Sequence, residues 1–370
     1  MISPFGRAAL ALDLLPVGVS KWELLALLET PDEVETAEQE RLDQILSQVP
    51  AAHGKRVSLL ERDECLTRAD AELEKLRVMQ ASLVTVFDGP DAYPACLREC
   101  YRPPLFLEVL GDPTALVQEC VAIVGSRKPT PEGVRTASDF AAQLSMAGLV
   151  IVSGLAYGID KAAHVGTVEA GGRTIAVLGS SIDQVYPAAH ESLALRITAQ
   201  RGAVVSEFHL DTQPTVYTFP QRNRVISGLS LGVVVVEAAK QSGSLLTANF
   251  AVEQNREVFA VPGSIYAPQH VGTNKLIQSG AKLVQSPQDI LDELRGFEGS
   301  DACGTDHTQP LSEFERRVTS CIEAGSSSVD ALVEQLSCPA AQILSALTSL
   351  EMRELLVRSG PDAFAIVPRA

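Results

Sequence analysis

A chain of 370 residues with 46% hydrophobic and 21% charged residues is too long for one compact core of ordinary size and too apolar to be disordered. Its formal net charge of -16, taken alone, argues against a nucleic-acid partner. Residues 1–120 hold 11 Lys or Arg against 21 Asp or Glu, residues 121–286 hold 13 against 11, and residues 287–370 hold 6 against 14. Acidic ends thus flank a near-neutral middle, whose cations can meet a polyanion while the flanks discourage indiscriminate binding to duplex.

Residues 5–80 read as helical. Leu10, Leu14 and Leu15, then Trp22, Leu24, Leu25 and Leu28, recur at helical spacing, with Pro16-Val17-Gly18 as a break between two short helices. Two helices across a glycine turn allow a helix-hairpin-helix that holds DNA phosphates, or a small SAM-like packing or protein-contact domain. The single glycine and the acidic surroundings favour the second. A further helix, Asp70 to Met79, leads onward. The apolar opening is interrupted by Asp13 and lacks a small-residue cleavage site, so no signal peptide is expected, and no run reaches the ~18 apolar residues of a membrane span. Cysteines at 65, 96, 100, 120, 303, 321 and 338 form no CxxC pair and have no histidines at zinc spacing. A reduced, metal-free, cytoplasmic protein is expected.

Leu83 to Phe87 and Leu105 to Leu110 read as two short strands joined by a proline-rich segment, an edge or extension of the sheet that follows. From Val121 apolar strands alternate with helical stretches. The strands fall at 121–124, 149–153, 174–178, 203–208, 231–236, 257–261 and 281–284. This is an α/β pattern, a Rossmann-like doubly wound and mainly parallel sheet whose crossovers place ligands beyond the carboxyl ends of the strands.

The loops at those ends carry the chemistry. They are Gly125-Ser126-Arg127, then Gly154 through Tyr157 to Asp160, Gly179-Ser180-Ser181, Pro262-Gly263-Ser264, and Gly272-Thr273-Asn274-Lys275 opening the last crossover helix. Ser242-Gly243-Ser244, just past the continuous apolar strand Leu231–Val236, opens a helix with outward amide donors. Arg222-Asn223-Arg224 returns two guanidinium groups, each able to fork onto a phosphate, to the same rim. Any one glycine here can serve a tight turn alone; several such loops with cations interleaved point to a phosphate chain. A dinucleotide fingerprint is missing, since the first strand is followed by GSRKPTPEG and no GxxxxGK[ST] occurs.

Asp160 and His164, four apart on one helical face, can be a metal or acid-base pair, or a dipole-favoured carboxylate and an internal hydrogen-bonding imidazole; the second is favoured. Glu237 ends the central strand with no nucleophile in a recognisable frame beside it. Residues 296–312 form a polar linker. Beyond it, helical patterns at Glu313–Glu323, Val329–Leu336 and Ala340–Met352 and two strands about a Ser-Gly-Pro-Asp turn compose a winged helix. The segment AAQILSALTSLEM, which would enter a major groove, has no Lys, Arg or Asn, so the wing reads as a packing or protein-contact module.

IVGSRKPTPEG, SGLAYGIDKAAHVG, TFPQRNRVISGLS, SGSLLTANFA, REVFAVPGS and GTNKLIQSGA resemble, in order and spacing, the DNA-processing protein A family (DprA, also called Smf), over about residues 80–290. The resemblance implies a homodimeric protein, without a nucleotide cofactor and without catalysis. Such a protein binds and protects incoming single-stranded DNA during natural transformation and loads the RecA recombinase onto it. It implies domains at 1–80 (helical), 81–297 (extended Rossmann-like, DNA-binding), 298–311 (linker) and 312–370 (winged helix). Carried over, Gly125, Ser126, Arg127, Arg222, Asn223, Arg224, Ser242, Gly243, Ser244, Asn274 and Lys275 line the DNA site, joined by Gly154, Tyr157, Lys161 and Phe219. Arg102 stands where the family has the acid of an Asp-Pro-Pro turn, and Tyr157 fills a slot that is basic in some members while offering a ring to a base. The rival class, nucleoside-monophosphate phosphoribohydrolases, shares the sheet but carries a PGGxGTxxE frame; here that place reads EAAKQSGSLLTA, without the glutamate.

Overall fold

The computed structural model describes residues 2–3, 5–14, 59–301, 313–323, 328–336, 338, 343, 347, 350, 356–360 and 363–366. The chain divides into two compact units, residues 1–290 and 291–370.

The first unit is built on nine strands: β1 Ser82–Thr85, β2 Phe106–Gly111, β3 Cys120–Val124, β4 Val150–Ser153, β5 Thr174–Val177, β6 Ala203–Ser206, β7 Gly232–Val235, β8 Glu257–Ala260 and β9 Lys282–Leu283. Their spatial order is β1-β2-β6-β5-β4-β3-β7-β8-β9. The strands from β6 to β9 run parallel, while β2 pairs antiparallel with both β1 and β6. The β-branched runs are buried along their whole length, as a strand covered on both faces requires. Winding reverses between β3 and β7, which pair from Val121↔Gly232 to Val124↔Val235. In a doubly wound sheet the crevice outside the carboxyl ends of two such strands is where ligands bind.

The helices follow from their local chemistry. Between β3 and β4, Pro131–Met146 starts at Pro131, which needs no amide partner in the first turn, and Thr130 Oγ1 accepts the Gly133 amide at 3.0 Å. Its Ala137, Phe140, Ala141 and Leu144 face inward at helical spacing. The later crossovers are Ile159–Glu169, Glu191–Ala199, Thr218–Gly228, Ser244–Glu253 and Val271–Gln278.

The expected N-terminal helical domain has no core of its own among the described residues. Helices Gly6–Asp13 and Leu59–Val78, the latter eleven residues longer at its start than the expected 70–79, bury Leu10, Leu12, Ala69, Leu73 and Leu76 in one cluster with Leu83, Leu107 and Val109 of the sheet. Arg7 clasps Asp70 through Nε and Nη2 at 2.7 and 2.8 Å. The Pro16-Val17-Gly18 turn lies outside the described residues.

A polar cluster sits where these helices meet the sheet. His209 Nδ1 donates to Glu72 Oε2 at 2.7 Å, its Nε2 lies 3.2 Å from Asp13, and the Leu210 amide donates to Glu72 Oε1 at 2.8 Å. Burial alone would lower the His209 imidazole, but the hydrogen bonds of Asp13 and Glu72 outweigh it and raise it to about 8. Beside them Glu108 of β2 is fully buried, and neither carboxyl oxygen has a partner at hydrogen-bonding distance among the described residues. Burial and the neighbouring Glu72 push it up to about 10, so Glu108 is held as the neutral acid.

In the second unit, helices Glu313–Glu323 and Val329–Leu336 have the expected bounds. Val318, Ile322, Leu332 and Leu336 share a core with Ile343, Leu347 and Leu350, the described positions of the expected third helix. Leu356–Gly360 and Ala363–Ile366 form the antiparallel hairpin of the wing. The expected linker at 298–311 begins inside a helix, Pro287–Asp301, and the rest of it lies outside the described residues. Among the described residues no helix is long and apolar enough to cross a membrane, no cluster of His, Cys, Asp or Glu could hold a metal, and six cysteines are free thiols.

Candidate nucleic-acid interface

At the carboxyl ends of β3 and β7 lies an open cleft of about 700 Å³. Its walls hold Gly125, Ser126, Arg127, Phe219, Arg222, Asn223, Ser242, Gly243 and Ser244 from the expected set. Arg127 is exposed, has no acidic partner among the described residues, and stands with its guanidinium carbon 5.2 Å from the Phe219 ring centre. Phe219 in turn meets Tyr186, centroids 5.7 Å apart. Opposite, Ser242 and Ser244 exchange a 2.7 Å hydroxyl hydrogen bond, and Leu245 and Leu246 turn their amides back onto the Ser242 and Gly243 carbonyls at 3.1 Å each. The exposed Gly243 has open space where a side chain would be, and its amide is left without an intramolecular partner among the described residues. Asn223 Nδ2 reaches the Gly243 carbonyl at 3.4 Å across the cleft. An unpaired amide at a helix start, a stacked guanidinium and exposed rings suit a phosphate and the bases attached to it.

Two of the expected cations are committed elsewhere. Arg222 is 3% exposed, because the helix Thr218–Gly228 turns it inward beneath the rim. Its Nη1 donates to the Gly154 carbonyl at 2.6 Å and to the Val177 carbonyl, tying the helix to the ends of β4 and β5. The Gly154 amide donates to Asp160 Oδ2 at 3.2 Å, so the backbone of this one residue, through two successive peptide groups, joins a buried cation to a buried anion. Burial draws the Arg222 guanidinium down to about 10, with Asp160 opposing the shift; burial raises the Asp160 carboxyl, with Arg222 opposing. A Cβ at Gly154 would collide with the guanidinium, which is why glycine stands there. Arg224 is likewise occupied, donating to the Glu207 carboxylate and, through Nη1, to the Arg102 carbonyl at 2.8 Å. The two guanidinium groups therefore do not project into the cleft as free forks.

The remaining expected residues are spread around this centre. Tyr157, 49% exposed, stands edge-on to His190 with centroids 4.9 Å apart. His190 Nδ1 donates at 2.8 Å to the carbonyl of Leu155, a non-glycine residue held at φ +56°. Gly158, at φ +80°, lets the chain enter the next helix, whose Ile159 amide donates to Ser126 at 3.1 Å. Lys161 and Lys275 are exposed outside the cleft walls. Asn274 braces the loop after β8, exchanging hydrogen bonds of 3.0 and 3.3 Å with the Gly263 peptide.

The carboxylates have structural partners. Glu237, 1% exposed, accepts the Thr130 amide at 3.0 Å and the Thr130 hydroxyl, supporting the cap of helix Pro131–Met146. His164 is fully buried. Thr174 gives its one hydroxyl proton to the Ile151 carbonyl at 2.6 Å, so at 2.7 Å it accepts from His164 Nδ1. Burial pushes that imidazole down to about 3, keeping it neutral. Sequence reasoning missed Tyr186, Lys128 and Gln241 of the rim; the only signal they carried was proximity in the chain to the rim loops.

A family model described as DNA recombination-mediator protein A matches residues 84–295, and one described as DprA winged helix domain matches residues 305–360. Protein Smf of Escherichia coli is 47% identical over 55% of this chain and 54% of its own, so the match spans about half of that relative. DNA processing protein DprA of Streptococcus pneumoniae is 39% identical over 75% of this chain and 94% of its own. The X-ray structure of the pneumococcal protein superposes with a TM-score of 0.63 at 36% identity, covering 78% of this chain and 95% of that one. A second solved structure, described as giving the single-stranded DNA binding mode of DNA processing protein A from Helicobacter pylori, superposes at 0.52 and 30% identity, over 59% and 96%. With a family model over more than half its length and a pneumococcal relative covered almost end to end, the chain belongs to the DNA recombination-mediator protein A family, whose members are named DprA or Smf.

Proposed function

We propose that the chain binds single-stranded DNA along the rim cleft, as a homodimer in the cytoplasm, and hands the strand to the RecA recombinase during natural transformation. The observation that carries the binding is Arg127, exposed and unpaired by any described acid, stacked 5.2 Å over Phe219 at the mouth of a cleft whose far lip is the Gly243 amide. Exposed rings can stack on unpaired bases, whereas in a duplex the bases are already stacked. The single-stranded DNA binding mode described for the Helicobacter relative supports the same ligand. Delivery to RecA is supported by family membership. The reading requires no nucleotide cofactor and no catalytic residue: Asp160, the carboxylate in the cleft wall, accepts the Gly154 amide, and Glu237 is occupied with Thr130.

The test is a titration of labelled oligothymidylate, single strand against duplex, at two salt concentrations. Arg127 and Lys128 are exposed in the cleft wall, and the exposed Lys240 stands in the chain between Ala239 and Gln241, which also line it. If these three meet phosphates, log affinity falls against log salt with a slope of about -2, from ~0.7 per contact. A flat response, or equal affinity for duplex, rejects the reading. Failure of the protein to accelerate RecA assembly on the bound strand rejects the hand-over alone.

A further inference from the structure

The helix Thr218–Gly228 presents three faces. Phe219, Asn223 and Ile226 line the cleft, Arg222 and Val225 are buried, and Tyr217, Gln221 and Arg224 succeed one another at i, i+4 and i+7 on a third face outside the cleft walls. This third face begins at the rings beside the cleft, with Tyr217 79% exposed, and ends where Arg224 holds the Arg102 carbonyl at 2.8 Å. There Tyr101 is 82% exposed and the Arg102 guanidinium carbon lies 5.1 Å from its ring centre. The pair repeats the arrangement of Arg127 over Phe219 at the cleft mouth. Arg102 keeps a backbone of φ +55°, a left-handed conformation rare for a long side chain, and its carbonyl is fixed there by Arg224.

Nothing in the cleft calls for this second stack. Tyr101 and Arg102 pack in no hydrophobic core, and no acidic side chain is paired with Arg102 among the described residues. The exposed Glu99 nearby offsets part of the charge, so the site offers one stacking platform and one cation rather than a phosphate clamp.

We propose that Tyr101 and Arg102 form a second single-strand contact, which receives the strand after it leaves the cleft along the Tyr217, Gln221 and Arg224 face. The inference rests on the cleft reading above and adds to it a direction of travel and a ligand length.

The test compares oligothymidylates of about 6 and about 20 nucleotides, lengths that bracket a single site and a site with an extension. The full chain is set against a Tyr101→Ala, Arg102→Asn double variant. Asparagine removes the charge and tolerates the left-handed backbone, so the loop keeps its shape. The expected result is a loss of about tenfold in affinity for the longer strand, from one lost base stack, with the short strand unaffected. The salt slope for the longer strand should also shrink by about 0.7. Equal affinity of both proteins for the longer strand overturns the second contact while leaving the cleft reading intact. Equal losses on both strands also overturn it, since they place Tyr101 and Arg102 in the cleft site or its fold. If the unaltered chain binds neither strand, the cleft reading falls and the extension with it.

Discussion

Replacing Arg222 by methionine keeps much of the side chain's bulk and removes its charge and donors. Two buried carbonyls, Gly154 and Val177, then lose the group that satisfies them, each at a cost of about 1–3 kcal/mol. Asp160, also buried, loses the cation that offsets its desolvation, and breaking such a pair costs about 3–5 kcal/mol in all. We take about 4 kcal/mol, a large share of the ~5–15 kcal/mol by which domains are stable. At ~2–4 °C per kcal/mol for a unit of this size, the melting temperature should fall by about 10 °C. The assay is a thermal melt followed by circular dichroism, paired with an oligothymidylate titration well below the transition. Adding Asp160→Asn should recover part of the loss, because no lone charge is then left inside. A variant that melts within ~2 °C of the parent yet binds no DNA would refute the reasoning and make Arg222 a ligand of the strand.

Arg127→Glu should abolish single-strand binding with an unchanged melt, since Arg127 is exposed; binding by the folded variant excludes it from the site. Arg127→Lys should weaken binding severalfold, because the ammonium lacks a planar fork to stack on Phe219, as the same titration will read. His209 is raised in the folded state to about 8, so its stabilisation is complete below the unfolded value near 6.5 and is lost as pH rises through 8, about 2 kcal/mol. Glu108, raised to about 10, acts in the same direction across that window, because only the unfolded chain ionises it. The melt at pH 9 should therefore lie below that at pH 6.5, and Glu108→Gln should narrow the difference. A chain cut to residues 81–301 should be insoluble or molten, with Leu83, Leu107 and Val109 stripped of their helical cover, while residues 1–301 should retain the single-strand affinity. A soluble, cooperatively melting 81–301 fragment counts against the shared core.

The sheet was legible because its strands are continuous β-branched runs, and each rim loop follows one of them directly. Gly125 to Arg127 and Ser242 to Ser244 could be placed on one rim from the doubly wound pattern, while their adjacency follows from the β3–β7 pairing that the structure shows. What could not be read was what each cation touches. The partners of Arg222 lie 68 and 45 residues away, and Glu207 reaches Arg224 only across the fold. Three arginine and asparagine residues in a row look alike in a sequence, yet one helical turn sends Arg222 inward, Asn223 to the cleft and Arg224 to the outer face. Leu10 and Leu14 at helical spacing and the expected helix at 70–79 pointed to helices here, but a helical pattern does not say whose core it serves.

The backbone of Gly154 is held on both sides of its Cα, its amide by Asp160 and its carbonyl by Arg222. A loop fixed in this way has no second arrangement to leave before it meets a ligand, so binding loses little freedom on the protein side and the ordering falls on the incoming strand. The kinetic consequence is capture in a single step. Association should rise linearly with oligonucleotide concentration, without the plateau that a slow loop opening would impose, and should be limited by encounter with the cations on the lips.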